Sequence, residues 1–257
     1  MCIRDRCSSA RILLNSKSKQ HPNGLGNSSD LVGKYLHDST GGDMMAFIPQ
    51  LINRKTYNED GVGGMHVYSP WWLDNKNLDF ARGYHIEQWG GLGAPTYGTG
   101  FDVNSFNKFF GINKAGGYGN VLRSDMKKYY GSTIGLSGRG ESIAQKTNYC
   151  EIDPNKVDKY GVPVLRFNYQ WTDNEIKQAK HMQDTFEEII HNMGGISLWE
   201  KPGKDNNYGL TKPGQIIHEV GTTRMGSNPK DSVVNEYEKL HDTCLLYTSP
   251  SPRDATL

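Results

Sequence analysis

Cysteine is scarce in this chain, at four residues among 257. No two of them have the spacing of a zinc ribbon or a Cys-x-x-Cys dithiol, which excludes both motifs and leaves the redox compartment open. An excess of charge of either sign is also missing. Lys and Arg number 29 against 28 Asp and Glu, a formal net charge of +1. Nothing in that balance argues for nucleic acid or an acidic membrane surface as partner. No stretch approaches the roughly eighteen apolar residues of a membrane-spanning helix, so none is expected. Internal repeats and low-complexity tracts are absent. A complete Gly-x-Gly-x-x-Gly fingerprint is absent too: Gly61-Val62-Gly63 and Gly91-Leu92-Gly93 begin it, but His66 and Thr96 occupy its last position. Neither opens a strand–turn–helix, and both read as loops. His66 beside Met65 and His37 beside Asp38 have no further ligands near them in sequence, and no metal is expected.

The two ends have a character of their own. Met1-Cys2-Ile3-Arg4-Asp5-Arg6 back-translates to DNA whose reverse complement, in another frame, encodes Cys-Leu-Leu-Tyr-Thr, the peptide at 244–248. Residues 1–6 and 244–257 are therefore read as translated sequencing adapter and set aside from fold reasoning. The remainder, 7–243, has equal numbers of acidic and basic residues. On this reading the natural N-terminus lies outside the sequence, so no localisation follows, periplasm and cytoplasm alike.

What is abundant is glycine, 30 residues, and tyrosine, 14, against a hydrophobic fraction of 35%. Such a composition fits a loop-rich fold with aromatic, polar surfaces. Ile12, Leu13 and Leu14 beside Ala10 suggest a short helix over 8–16, and Leu31, Val32, Tyr35 and Leu36 suggest another over 30–36. From Gly41 the texture turns to strands: 44–48, 65–68 and 81–89. In the last of these His85, Glu87 and Trp89 alternate with Tyr84, Ile86 and Gln88. Part of 120–130 reads as helix, 138–144 and 149–152 as strands, 154–157 as a turn and 162–171 as a strand. Thr172-Asp173-Asn174-Glu175 has the form of a capping box. The helix it starts runs to Met193, stops at Gly194-Gly195, and carries Ile176, Ala179, Met182, Phe186, Ile189 and Ile190 as core contacts. His181 and His191 are read as surface or boundary residues of that helix. Loop-linked strands of this kind favour an antiparallel sheet.

The segment of greatest chemical interest is Ile217-His218-Glu219-Val220-Gly221-Thr222-Thr223-Arg224-Met225-Gly226. Histidine exchanges a proton near neutral pH, and the glycines permit sharp turns or close backbone approach. His218 through Pro229, followed by Asp231-Ser232-Val233-Val234-Asn235, resembles a signature of the glucose–methanol–choline (GMC) flavoprotein oxidoreductases. A second segment agrees and stands in the right order: Ser8 to Ser16, Gly24 to Ser29, and Val32-Gly33-Lys34-Tyr35-Leu36.

The resemblance implies α/β and α+β architecture: part of a Rossmann-like FAD-binding domain plus an antiparallel-sheet substrate domain with helices. Residues 7–40 and 211–243 would belong to the FAD-binding domain, and 41–210 to the substrate-binding domain. It implies FAD as cofactor, with hydride passing from an alcohol carbon of a sugar or polyol to the flavin. His218 would be the base, with Gly221 and Thr222 near the cofactor, while Arg224 anchors the loop. The family's second active-site His or Asn, toward the C-terminus, is not in this sequence, and the electron acceptor is unspecified. On the substrate side, the strand face carrying Glu87 and Trp89 is a candidate sugar site, with an ordinary solvent-facing strand as the plain alternative. A rival reading makes the chain a non-catalytic carbohydrate-binding module that stacks sugars on Tyr68, Trp71, Trp72, Tyr84, Trp89 and Tyr97. Such a module has no need of His218.

Overall fold

The computed structural model describes residues 7–54, 66–70, 77–90, 119–215 and 218–243. At 66–70, 89, 90, 122, 125 and 126 only the backbone is described. Trp71, Trp72, Tyr97, the Gly61 and Gly91 loops and both terminal segments lie outside these residues. The chain forms two compact units. One gathers the segments up to Ser39, Ser142–Thr172 and the stretch from Lys212; the other comprises Thr40–Glu141 and Asp173–Thr211. Segment 142–172, assigned from sequence to the middle domain, thus belongs with the terminal segments. The reason lies in long-range contacts: its strands are held by the first helix and by the 33–36 backbone.

In the first unit, helix α1 (Cys7–Asn15) buries Ser9, Ala10 and Leu13. It packs on a two-stranded hairpin of β5 (Tyr149–Val157) and β6 (Pro163–Asn168). The hairpin turn is built on Asp158. Its Oδ1 accepts the N–H groups of Tyr160 and Val162 at 2.9 and 3.0 Å, and Gly161 follows at φ +79°. Arg11 of α1 reaches the same turn, 2.7 Å from Asp158 Oδ2 and 2.8 Å from the Pro163 carbonyl. Hydrogen bonding from Arg11 holds the Asp158 carboxyl below its ordinary range. The sequence reading made 154–157 a turn; instead β5 continues through it, with a register shift between Ile152 and Val157.

Residues 30–36 are not a helix. Asp30, Gly33 and Tyr35 have φ of +57°, +87° and +60°, which no right-handed helix accommodates. Their backbone groups bond outward instead. Gly33 N–H donates to Thr222 O, Leu36 N–H to Asn148 O, and Cys150 N–H to Gly33 O. Leu31 and Val32 still enter the core with Ala10, Leu13, Cys150, Val233, Val234 and Leu240. The apolar pattern recorded burial, and the unusual φ angles decided the conformation. In that core the Cys7 thiol hydrogen-bonds the Cys150 thiol, which with burial pushes Cys150 far above the usual thiol range.

The second unit is a five-stranded sheet in the order β2 (His66–Pro70), β3 (Tyr84–Gly90), β4 (Thr133–Gly140), β1 (Thr40–Phe47) and β7 (Ile196–Ser197). Every pairing in it is antiparallel, as expected from the sequence. Strand β4 begins earlier than the 138–144 read from sequence, because Ile134 and Leu136 pair with Ala46 and Met44 and bury there. Helix α3 (Asp173–Asn192) covers one face through Ala179, Met182, Phe186 and Ile190. Residues Met44, Ala46, Tyr84, Ile86, Ile134 and Leu136 meet it from the strands. On the other face Phe47 packs with Leu198 and with Tyr129 of helix α2 (Asn120–Tyr129).

Tyr84, proposed from sequence as part of a sugar-stacking surface, is 1% exposed and belongs to the core. Its hydroxyl lies 2.6 Å from His181 Nδ1 and 3.1 Å from Thr185 Oγ1. The Thr185 hydroxyl donates to the His181 carbonyl, and the direction of the Tyr84–His181 bond follows the ring's tautomer. His181 is therefore a core partner, with burial lowering its pKa and so favouring the neutral ring. Burial likewise raises the Tyr84 phenol to about 12. Tyr84→Phe removes that hydrogen bond and is expected to cost about 1–3 kcal/mol, read by urea unfolding.

Candidate active site

The two motif segments meet inside the first unit. His37 and Val220 form an antiparallel bridge, with His37 N–H donating to Val220 O at 3.0 Å and Val220 N–H returning to His37 O at 2.7 Å. One step along, Gly33 N–H donates to Thr222 O at 2.7 Å. The Arg224 guanidinium sits 4.2 Å from the centre of the Tyr35 ring, a cation–π contact that anchors the following loop as expected from sequence. That loop is closed by buried Ser232, whose hydroxyl donates to Asn228 O at 2.6 Å beside His241 Nε2 at 2.9 Å.

Gly221 has φ +93°, and a Cβ there would lie 2.1 Å from Tyr35 O and 2.7 Å from His37 Nδ1. The space a side chain would need is filled by the docked segment. Thr222 is fully buried at 0% exposure. These two positions thus serve the docking of the 218–222 segment on 35–37. His218 stands differently: its side chain is exposed while its backbone N–H is tied down, donating to Asp38 Oδ1 at 3.0 Å across 180 residues of sequence.

Asp38 is the residue that sequence reasoning missed. It is 2% exposed, and its Oδ1 also accepts Ser39 N–H at 2.7 Å. Its own N–H donates to the Tyr169 hydroxyl at 2.9 Å, and its carbonyl accepts from Ser142 Oγ at 2.7 Å. Oδ2 is buried without a hydrogen-bond partner among the described residues. Burial raises the Asp38 pKa, opposed by the two backbone donors and reinforced by the Glu219 charge. The one available signal was an acid two residues beyond a buried leucine in the first motif.

The sign of that shift gives a pH prediction. Because the folded state holds the Asp38 proton more tightly, stability from this group is fully present below the ordinary aspartate range near pH 4. It is lost as pH rises through the raised folded value. Asp38→Asn is expected to flatten that part of the stability–pH curve, measured by urea unfolding from pH 4 to 7.

Of the other candidate residues, Glu87 and Trp89 belong to β3 in the second unit. Glu87 pairs in register with Ser137 of β4 and Tyr68 of β2, and its Oε1 lies 3.1 Å from His85 Nε2. On the adjoining strands of the same face, Ser137 donates to Asp43, and Arg139 lies 3.5 Å from that carboxylate. The face is polar where Tyr84 and Ile86 turn the other way, as the alternation implied. The described residues hold no group of three or more His, Cys, Asp or Glu able to bind a metal. No described helix is long and apolar enough to cross a membrane.

Comparison with known proteins agrees with the motifs. Residues 145–248 match the family model described as GMC oxidoreductase. A 2-methyl-1,2-propanediol dehydrogenase of Mycolicibacterium austroafricanum is 28% identical over 239 residues, covering 92% of this chain and 40% of that protein. A fructose dehydrogenase large subunit of Gluconobacter japonicus is 23% identical over 239 residues, 92% of this chain and 39% of its own length. A gluconate 2-dehydrogenase flavoprotein of Pantoea cypripedii is 28% identical over 120 residues, 47% of this chain and 20% of that protein. This chain therefore spans about two-fifths of the length of the first of these relatives. The matched stretch, which contains His218 and its docked segment, is similar to the GMC oxidoreductases, and the dehydrogenases above resemble the chain in the same sense.

Proposed function

We propose that the chain is the C-terminal part of an FAD-dependent dehydrogenase or oxidase acting on the CH–OH group of a sugar or polyol, with His218 as the base. The observation that carries this reading is an exposed imidazole on a backbone fixed by a buried carboxyl. The first unit would be a portion of the FAD-binding domain, with a Rossmann-like remainder, and the second unit the substrate domain.

The residues fit one side of such a site. Asp38 Oδ2 is an unpartnered buried acceptor beside the His218 backbone among the described residues. Gly221 and Thr222, packed against Tyr35 and Gly33, would neighbour the cofactor through their backbone. When bound, FAD supplies the acceptor for the hydride leaving the alcohol carbon. His218 takes the hydroxyl proton as the carbonyl forms, which requires the ring within hydrogen-bond reach of the hydroxyl. Glu87 and Trp89 are proposed to line the sugar site, the carboxylate accepting from hydroxyls and the indole stacking on the sugar ring. A small-molecule alcohol is the substrate; no acceptor for the flavin's electrons is specified by these residues.

The carbohydrate-binding module is the less favoured alternative. Relatives named as dehydrogenases support an enzyme, and the burial of Tyr84 removes one member of the stacking surface. Anaerobic reduction of flavin by sugars and polyols, with and without His218, tests the reading.

A further inference from the structure

Asp38 draws together the three segments of the first unit. Its carboxyl holds the backbone of His218 and Ser39, its N–H meets Tyr169, and its carbonyl meets Ser142. A carboxyl 2% exposed, with one oxygen lacking a partner among the described residues, is a costly way to close a loop. The hydrogen bond it gives in return falls on the main chain of the one residue whose exposed ring is read as the base. A base must meet its proton at hydrogen-bond length, and displacement by about 1 Å is enough to cost two powers of ten. The imidazole swings from its Cα, so fixing the backbone there limits where the ring can go.

We propose that Asp38 is the positioning residue of His218, setting the height of the imidazole by clamping its backbone N–H through Oδ1. This rests on the reading of His218 as base. The charged and titratable groups acting on Asp38 are Glu219 and His218 itself. The clamp needs an acceptor oxygen in place; asparagine supplies one, alanine supplies none, and glutamate moves it by a methylene.

The test compares Asp38→Ala, Asp38→Asn and Asp38→Glu in the flavin-loaded enzyme, scored as the rate of flavin reduction per bound flavin. Hydrogen exchange at the His218 amide is measured in the 257-residue chain. Asp38→Ala is expected to lower the rate about 100-fold with little change in half-saturation by substrate, and to speed exchange at His218. Asp38→Asn is expected to restore both. A purely structural part for Asp38 would change unfolding and flavin content but leave the rate per bound flavin alone, and that result overturns the proposal. If Asp38→Ala does not fold, the other two variants decide: asparagine keeps the rate and glutamate loses it, and the opposite order overturns the clamp. His218→Ala run in parallel separates the two readings. A slow His218→Ala with an unaffected Asp38→Ala overturns the clamp alone. A wild-type rate in His218→Ala overturns the base assignment, whatever the amide exchange reports.

Discussion

His218→Ala in the flavin-loaded enzyme is expected to slow flavin reduction by its alcohol substrate by about two to four powers of ten. At about 1.4 kcal/mol per power of ten, that is roughly 3–5 kcal/mol of transition-state stabilisation from one imidazole. The substitution is a clean one here. The side chain is exposed, so its removal opens no cavity, and the N–H that bonds Asp38 belongs to the backbone and survives in alanine. Fold, flavin content and substrate binding should therefore stay near wild type while the reductive step alone slows. Anaerobic stopped-flow reduction, followed at the flavin absorbance, measures that step apart from reoxidation. Unchanged kinetics would remove His218 from the chemistry and leave the segment it begins as scaffolding. Sugar binding without any flavin reduction in the wild type would instead favour the binding-module reading.

How much of this was legible in the sequence depends on whether the signal was local. Helices α1 and α3 followed from apolar spacing because each has one face on a core and ordinary backbone angles throughout. Strand β3 followed from strict alternation, since Tyr84 and Ile86 face α3 while His85 and Glu87 face away. Segment 30–36 misled for the opposite reason. Its buried Leu31, Val32 and Leu36 have a helical spacing, but three positive φ angles and bonds to Thr222 and Asn148 govern its shape. The boundary at 142 was invisible because hairpin β5–β6 joins the first unit through residues far away in sequence, Gly33 and Arg11 among them. Cys7 and Cys150 meet by the same kind of long-range packing. For the site, the histidine and the glycine pattern could be read directly. Asp38 could not, because its role is a bond to a backbone N–H 180 residues away, and no spacing encodes that.

The glycine three residues after His218 is explained by this docking, and its replacement should be among the most damaging small changes in the unit, with Gly33, whose Cβ would lie 2.2 Å from Cys150 O. Gly221→Ala places a methyl carbon 2.1 Å from the Tyr35 carbonyl oxygen, a backbone atom that no rotamer change can move. The same residue is held at φ +93°, where a Cβ is strained irrespective of space. Overpacking and backbone strain together are expected to cost about 3–5 kcal/mol. Relief requires the 218–222 segment to lift off 35–37, which would break the His37–Val220 bridge and carry His218 away from Asp38. Gly161→Ala provides the control. It shares the positive φ, at +79°, but nothing lies within 4 Å of its added Cβ. Strain alone should cost it about 1–2 kcal/mol. Urea unfolding of the two variants, with amide exchange at Val220, separates close approach from backbone strain. Equal losses would mean that the segment is not seated on Tyr35 as described. A large loss at Gly221 alone, with rapid exchange at Val220, would make the glycine of the His-Glu-Val-Gly segment a docking requirement, chosen for the carbonyl it must pass.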